Sequence, residues 1–370
     1  MLRPGPRLSA PGASGTAPIG AAATLDAVDV DSVLLASPRG FCAGVEMAIK
    51  ALACLVRSHE PPVYCYHEIV HNQSVVEQFE AAGVVFVDDI SEVPPGHPLM
   101  LSAHGSAPEV VQAALDNGGY LVDAVCPLVT KVHHEVKVRA SKGYQIVYVG
   151  HEGHEEAVGT MAVAPESIHR VESVDEVARL PEFSERVALL AQTTLSHRDW
   201  SDVLDATRDR FPQMWVPGRS DLCFATTNRQ SALAALAARC DTIVVIGSEN
   251  SSNTRALEKL AREAGCAQVY RVNHAAELPD DLKGTVGVTA GASAPERLVE
   301  DVIARLAPRG GVEHVRVTEE DEYFPPPRNL RDLINAIDVM ATFTLGGKVG
   351  GRPPMNDRAV HASDVLAALR

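Results

Sequence analysis

The sequence predicts an α/β protein made of three copies of one unit, each with a parallel-rich sheet, and three observations carry that reading. Apolar, β-branched runs alternate along the chain with segments of helical period. Three cysteines, Cys42, Cys126 and Cys223, each stand just before a helical pattern. Polar loops then recur at matching distances: Cys42 to His71 is 29 residues, Cys126 to His154 is 28, and Cys223 to Ser251 is 28.

The elements follow in order. "SVLLASPRG" is a buried strand ended by Gly40, and after it Val45, Ala48, Ile49 and Leu52 mark one face of a helix that opens at Cys42. "VYCYHEIVHN" and "PLMLSAHG" are strands that run into loops carrying His71 and His104. "YLVDAVCP" leads to Cys126 and the helix "PLVTKVHHEV". "QIVYVGHEGH" and "VALLAQTTLS" end in loops with His154 and with Thr193 and Thr194. "DLCFATTNRQSALAAL" carries the third cysteine. "DTIVVIGSENSSN" and "GTVGVTAGASAP" then supply Ser251, Ser252, Asn253 and Ser293. Each unit therefore reads as a cysteine loop, a first polar loop and a second polar loop. Parallel sheets bind ligands beyond the carboxyl ends of their strands, so these loops are candidates for one shared site.

Composition narrows the function. The chain has 370 residues, 46% of them hydrophobic and 22% charged, enough for two or three domains. A net charge of −15 argues against broad binding to nucleic acid or to an anionic membrane. It suits a small anionic substrate only where the site supplies its own donors. No apolar run approaches the ~18 residues of a membrane span. Seven widely spaced cysteines without a secretory signal argue against a disulfide framework and for a reducing cytoplasm. Residues 1–30 read as a disordered extension, since they lack the continuous apolar stretch of a signal peptide.

Free cysteines are most often small buried hydrophobes, the expectation for Cys54, Cys65, Cys240 and Cys266. Cys42, Cys126 and Cys223 differ, because a helix N-terminus lowers a thiol's pKa and stabilises thiolate. Three such thiolates on one axis make a soft metal site. Structural zinc takes four protein ligands, commonly in C-x-x-C pairs that this chain lacks. Three cysteines with no evident fourth suit an iron–sulfur cluster with one open iron better. "GSENSSNTRALEKL" follows a strand and opens a helix, so its amides and hydroxyls could hold a phosphate.

These stretches, together with "PRGFCAGVEMAI", "HEIVHN", "SAHG", "DAVCPLVTKVH", "GHEGHEE", "QTTLS" and "CFATTNRQ", resemble the motifs of the 4-hydroxy-3-methylbut-2-enyl diphosphate reductases. The resemblance runs from Val33 to Arg305 and more loosely to Arg331. It implies a trefoil of three pseudo-threefold-related α/β units around one central [4Fe-4S] cluster per chain, held by Cys42, Cys126 and Cys223. It implies a diphosphate held by His71, His104, His154, Ser251, Ser252, Asn253 and Ser293, with Thr193 near the substrate hydroxyl and Glu156 in proton delivery. The implied reaction is reductive loss of an allylic hydroxyl, with reduced ferredoxin or flavodoxin as electron donor. On this reading residues 44–126 and 127–220 form the first two domains, 31–43 with 221–306 the third, and 307–370 a C-terminal tail. Its two helical stretches, "NLRDLINAIDVMATF" and "ASDVLAALR", flank "GGKVGGRPP" and are expected to dock on the core. Where that family often has H-P-E this chain has His154-Glu155-Glu156, and Glu155 is expected to be a solvated carboxylate. A quinolinate synthase-like enzyme and a non-enzymatic iron–sulfur sensor or carrier are the competing readings.

Overall fold

The computed structural model describes residues 29–344 and 357–369; the expected disordered extension over 1–30 and the "GGKVGGRPP" linker lie almost wholly outside them. The chain opens with β1 (Asp29–Ser37), and Gly40, at φ +66, turns it into α1 (Ala43–Ser58). Next come β2 (Val63–Tyr66), α2 (Gln73–Ala81), β3 (Val84–Val87), β4 (Leu99–Leu101), α3 (Pro108–Asp116) and β5 (Leu121–Asp123). The middle of the chain forms α4 (Pro127–Ser141), β6 (Tyr144–Val149), α5 (Glu155–Ala162), β7 (Ile168–Val171), α6 (Val174–Ala178), β8 (Arg186–Ala191) and α7 (His197–Arg210). Then follow α8 (Phe224–Ala237), β9 (Thr242–Ile246), α9 (Ser252–Glu263), β10 (Gln268–Val272), β11 (Lys283–Ala290), α10 (Glu296–Leu306) and β12 (Val312–Arg316). Two further helices, α11 (Arg328–Thr344) and α12 (Ala362–Ala367), come last.

Three parallel sheets result, with strand orders β3-β2-β4-β5, β7-β6-β8 and β10-β9-β11-β1-β12. Their common core is the same: the second strand, the first, then the third. A fourth position lies beside the third strand in every sheet and leads to a cysteine. It is β5 before Cys126 and β1 before Cys42. In the second sheet it shrinks to one bridge, where Trp215 pairs with Ala188 of β8 ahead of Cys223. The repeat seen in the sequence is thus a repeat of hydrogen-bonded topology.

The eight apolar runs fall on β1, β2, β4, β5, β6, β8, β9 and β11. β3, β7, β10 and β12 lie outside those runs. Polar residues interrupt β7 (IHRV), β10 (QVYRV) and the mostly exposed β12 (VEHVR), whereas β3 (VVFV) is as apolar as the strands within them.

α1 lies between the first sheet and the end of the chain. Ile49, Leu52 and Leu55 are fully buried with Cys65, Met100 and Val122 of the sheet and with Leu330, Ala362 and Leu366 of α11 and α12. Polar contacts fasten this layer. Glu46 Oε2 accepts from the Ala362 amide at 2.8 Å, and Lys50 Nζ reaches Asp357 Oδ2 at 3.1 Å and the Val360 carbonyl at 3.0 Å. No helix among the described residues is long and apolar enough to cross a membrane.

Because Leu52 has no exposed surface and α1 positions Cys42, Leu52→Ala is expected to cost about 2–5 kcal/mol, read from the shift in urea midpoint at unchanged slope.

Candidate active site

Each of Cys42, Cys126 and Cys223 is the N-cap of a helix: α1, α4 and α8. Their carbonyls start those helices, accepting from Glu46, Thr130 and Thr227 at 2.9, 3.0 and 3.1 Å. Their amides are tied in one repeated way. Cys42 donates to Ala292 O at 3.1 Å, Cys126 to Ala103 O at 3.0 Å and Cys223 to Thr193 O at 2.9 Å. Those carbonyls belong to the loops after β11, β4 and β8, the third strand of each sheet.

The first turn of α1 leaves room for sulfur. A Cβ on Gly44 would stand 2.9 Å from Cys126 Sγ and 3.9 Å from Cys42 Sγ. Only glycine lets the helix approach the Cys126 thiol so closely. At Cys126 and Cys223 the helix mouth does not, however, lower the thiol pKa as the sequence led us to expect. Burial raises Cys126, and the neighbouring Cys42 and Cys223 sulfurs raise it further against the amides of Leu128 and Val129. Burial likewise pushes Cys223 up to about 11, against its bonds from Thr226. Desolvation outweighs the dipole at these two thiols, so a cation among them would favour their ionised form. Three soft donors gathered this way, with helix amides aimed at them, fit an iron–sulfur cluster with one iron lacking a protein sulfur. Cys54, Cys65, Cys240 and Cys266 instead pack against hydrophobic clusters.

Around the sulfurs stands a ring of neutral or switchable donors. His71 and His104 stack with centroids 4.0 Å apart and planes 13° apart, and His154 meets both edge-on at 5.5 and 6.2 Å. His154 caps α5, its Nδ1 accepting from the Glu156 amide at 3.1 Å. That bond leaves the proton of the neutral ring on Nε2. Burial holds the His154 pKa down near 3, so it is a neutral donor. Ser251 caps α9 by accepting from the Thr254 amide at 3.3 Å. Asn253 Oδ1 accepts from the Ala292 amide at 2.9 Å, and Ser293 Oγ donates to the His71 carbonyl at 2.8 Å. Ser252 Oγ is buried and has no hydrogen-bond partner in the protein. An orphan hydroxyl at a helix N-terminus, facing a cavity, is suited to an anion.

Glu156 is 3% exposed and lies two residues after the α5 cap, as Asn253 lies two after the α9 cap. It too accepts from the loop after a third strand: Thr193 N donates to Oε1 at 2.7 Å and Thr193 Oγ1 to Oε2 at 3.0 Å. Burial pushes its pKa up to about 7 despite both bonds. A carboxyl poised there can hold a proton at neutral pH and release it.

One cavity of about 110 Å³ is lined by Cys42, Cys126 and Cys223, by His71, His104 and His154, by Glu156 and Thr193, and by Ser251, Ser252, Asn253 and Ser293. Every site residue expected from the sequence therefore faces the same space. Sequence reasoning missed Thr226, which bonds Cys223 Sγ through its hydroxyl at 2.9 Å and its amide at 3.2 Å. Its place three residues beyond the cap was the available signal. It also missed Phe324, which reaches the cavity from beyond β12 with no local motif to mark it. One expectation is corrected outright. Glu155 is not solvated: its side chain is 23% exposed, and Oε2 lies 2.7 Å from His104 Nδ1.

Fold and site together define a three-unit α/β protein that focuses three thiols, one protonatable carboxyl and a set of anion donors on a single cavity. The chain belongs to the LytB protein family, whose model matches residues 33–307. Among its curated relatives, the 4-hydroxy-3-methylbut-2-enyl diphosphate reductase of Rhodopirellula baltica is 48% identical over 305 residues, 81% of this chain and 95% of that protein. The one from Nocardia farcinica is 45% identical over 315 residues, 84% and 94% of the two chains. The solved structure of the E-1-hydroxy-2-methyl-but-2-enyl-4-diphosphate reductase from Plasmodium falciparum aligns with a TM-score of 0.80 at 31% identity, covering 84% of this chain and 99% of that one.

The raised Glu156 pKa has a thermodynamic consequence. The folded chain binds this proton more tightly than the unfolded chain, so stability is lost as pH rises from the ordinary 4.5 through about 7. Glu156→Gln should remove that slope and narrow the difference between pH 5 and pH 8 by up to about 3 kcal/mol in denaturation of the metal-free chain.

Proposed function

We propose that this chain reduces (E)-4-hydroxy-3-methylbut-2-enyl diphosphate to isopentenyl and dimethylallyl diphosphates, the last step of the non-mevalonate isoprenoid route. The observation that carries the proposal is the single cavity in which three thiols meet a buried carboxyl near pKa 7 and a ring of histidines and hydroxyls. Cys42, Cys126 and Cys223 would hold one [4Fe-4S] cluster per chain. When bound, it supplies electrons and a Lewis-acidic iron for the substrate hydroxyl. Reduced ferredoxin or flavodoxin fits the role of electron donor.

The protein's own groups do the rest. His71, His104, His154, Ser251, Ser252, Asn253 and Ser293 hold the diphosphate and so fix where the allylic end lies. The N-termini of α5 and α9 add amides aimed at the same anion. Thr193 stands between Glu156 and the substrate hydroxyl, with its own hydroxyl already donating to the carboxylate. Protonated Glu156 returns a proton along that bond, so the hydroxyl leaves as water. Two electrons and two protons enter, the C–O bond breaks, a C–H bond forms and water departs. Phe224 and Phe324 line the cavity with apolar surface suited to the five-carbon chain.

The decisive test is anaerobic turnover of the hydroxybutenyl diphosphate by reduced protein, with iron and sulfide counted on the same sample. Cys126→Ser should lose both iron and product, whereas Cys65→Ser should keep both. Full iron content in Cys126→Ser would sink the ligand assignment.

Glu156→Gln should retain iron and bind substrate but lose about 10²–10⁴ in kcat. In the parent, kcat should fall as pH rises above about 7, because the proton on Glu156 is then lost. A pH-independent kcat from 6 to 8, or full activity in the variant, contradicts this role.

A further inference from the structure

Glu155 sits behind the histidines rather than in the cavity they line. His71 and His104 both face the cavity, whereas Glu155 and Glu68 are absent from its lining. Each of these carboxylates instead backs a ring. Glu68 Oε2 lies 3.2 Å from His71 Nδ1, and Glu155 Oε2 lies 2.7 Å from His104 Nδ1. Ser102 Oγ is 3.4 Å from the same His104 nitrogen. With Nδ1 so engaged, Nε2 is the ring nitrogen left for a ligand.

That raises a problem of sign. A neutral His104 that keeps its proton on Nδ1 for Glu155 presents a bare Nε2, an acceptor, which repels a phosphate oxygen. Only the imidazolium donates from both nitrogens. Glu155 Oε2 is buried, with His104 Nδ1 2.7 Å away, so the charge on it is poorly compensated unless a cation forms beside it. The cations within reach are histidines: His104 at 2.7 Å and His67 at 3.9 Å. A divalent metal fits these groups badly. His71, His104 and Glu155 do offer ligand atoms within 4.8 Å of one another. Yet the two rings stack at 13°, so their lone pairs run in near-parallel planes rather than converging on one ion.

Resting on the diphosphate reading above, we propose that Glu155 is a positioning residue that holds His104 as an imidazolium toward the diphosphate, so that ligand binding takes up a proton at His104. In the empty site burial and His71 keep His104 below its ordinary pKa, which leaves the proton to be taken up on binding. The other titratable groups facing the pair are His67, Glu68, His71 and His154, with Tyr66 and Cys65 on β2 kept protonated by burial and by the Glu155 charge. His154 is held neutral by its burial, so the charge does not settle there.

The probe is inorganic pyrophosphate, titrated calorimetrically into cluster-loaded protein in two buffers of different ionisation heat. The parent should take up roughly one proton more than Glu155→Gln at pH 7.5. Binding that takes up a proton weakens as pH rises, so the parent should bind more tightly than the variant at pH 6.5 and lose that advantage at roughly tenfold per pH unit around pH 7.5. Glu155→Pro is a second variant that should fold, because Glu155 occupies the first position of α5, where proline fits. It should show the same missing proton. Equal proton counts in parent and both variants, with an affinity ratio that does not change with pH, overturn the role of Glu155 and leave the diphosphate reading intact. Failure of pyrophosphate to bind the parent overturns both.

Discussion

Three backbone hydrogen bonds hold the centre of this molecule: the amides of Cys42, Cys126 and Cys223 on the carbonyls of Ala292, Ala103 and Thr193. Each joins a cysteine to the loop after the third strand of a sheet. The backbone positions of the cysteines are therefore inherited from the sheets. Because the cysteine carbonyl also starts a helix, each cysteine backbone is held on both sides, by a strand end and by a helical turn. Arg229 adds a further brace. Fully buried, it donates to the Gly40 carbonyl at 3.0 and 2.7 Å and pairs with Glu320 at 2.9 Å, clamping the Cys42 loop to α8.

The same architecture resolves a conflict of charge. On the proposed function a chain of net charge −15 has to hold a diphosphate, yet no lysine or arginine is among the described residues lining the cavity. Donors come instead from helix N-termini, hydroxyls and histidines. Donors of this kind put no fixed unit cation into the cavity. Burial also sets Glu156 near pKa 7, so the proposed binding and proton delivery would share one physical cause.

Much of this was legible in the residues. The cysteine-to-loop spacing exposed the threefold repeat because equivalent turns in repeated units keep their lengths, and most strands showed as apolar runs because their faces are covered. β7, β10 and β12 did not, since charged and polar residues interrupt them, and β3, though apolar (VVFV), was passed over. Phe324 was out of reach for another reason: its approach to the cavity depends on how the chain returns after β12, a long-range contact without a local pattern. Glu155 was misread because a carboxylate beside a helix start usually faces water. Only the fold places His104, 51 positions earlier in the chain, against it.

The central claim is that three thiolates hold a cluster whose remaining iron is left for substrate. Mössbauer spectroscopy of ⁵⁷Fe-loaded protein tests it most directly. The account predicts three irons of one kind and a fourth that is distinct and shifts when the hydroxybutenyl diphosphate is added. Four equivalent irons insensitive to that ligand, or zinc in place of iron, would contradict it.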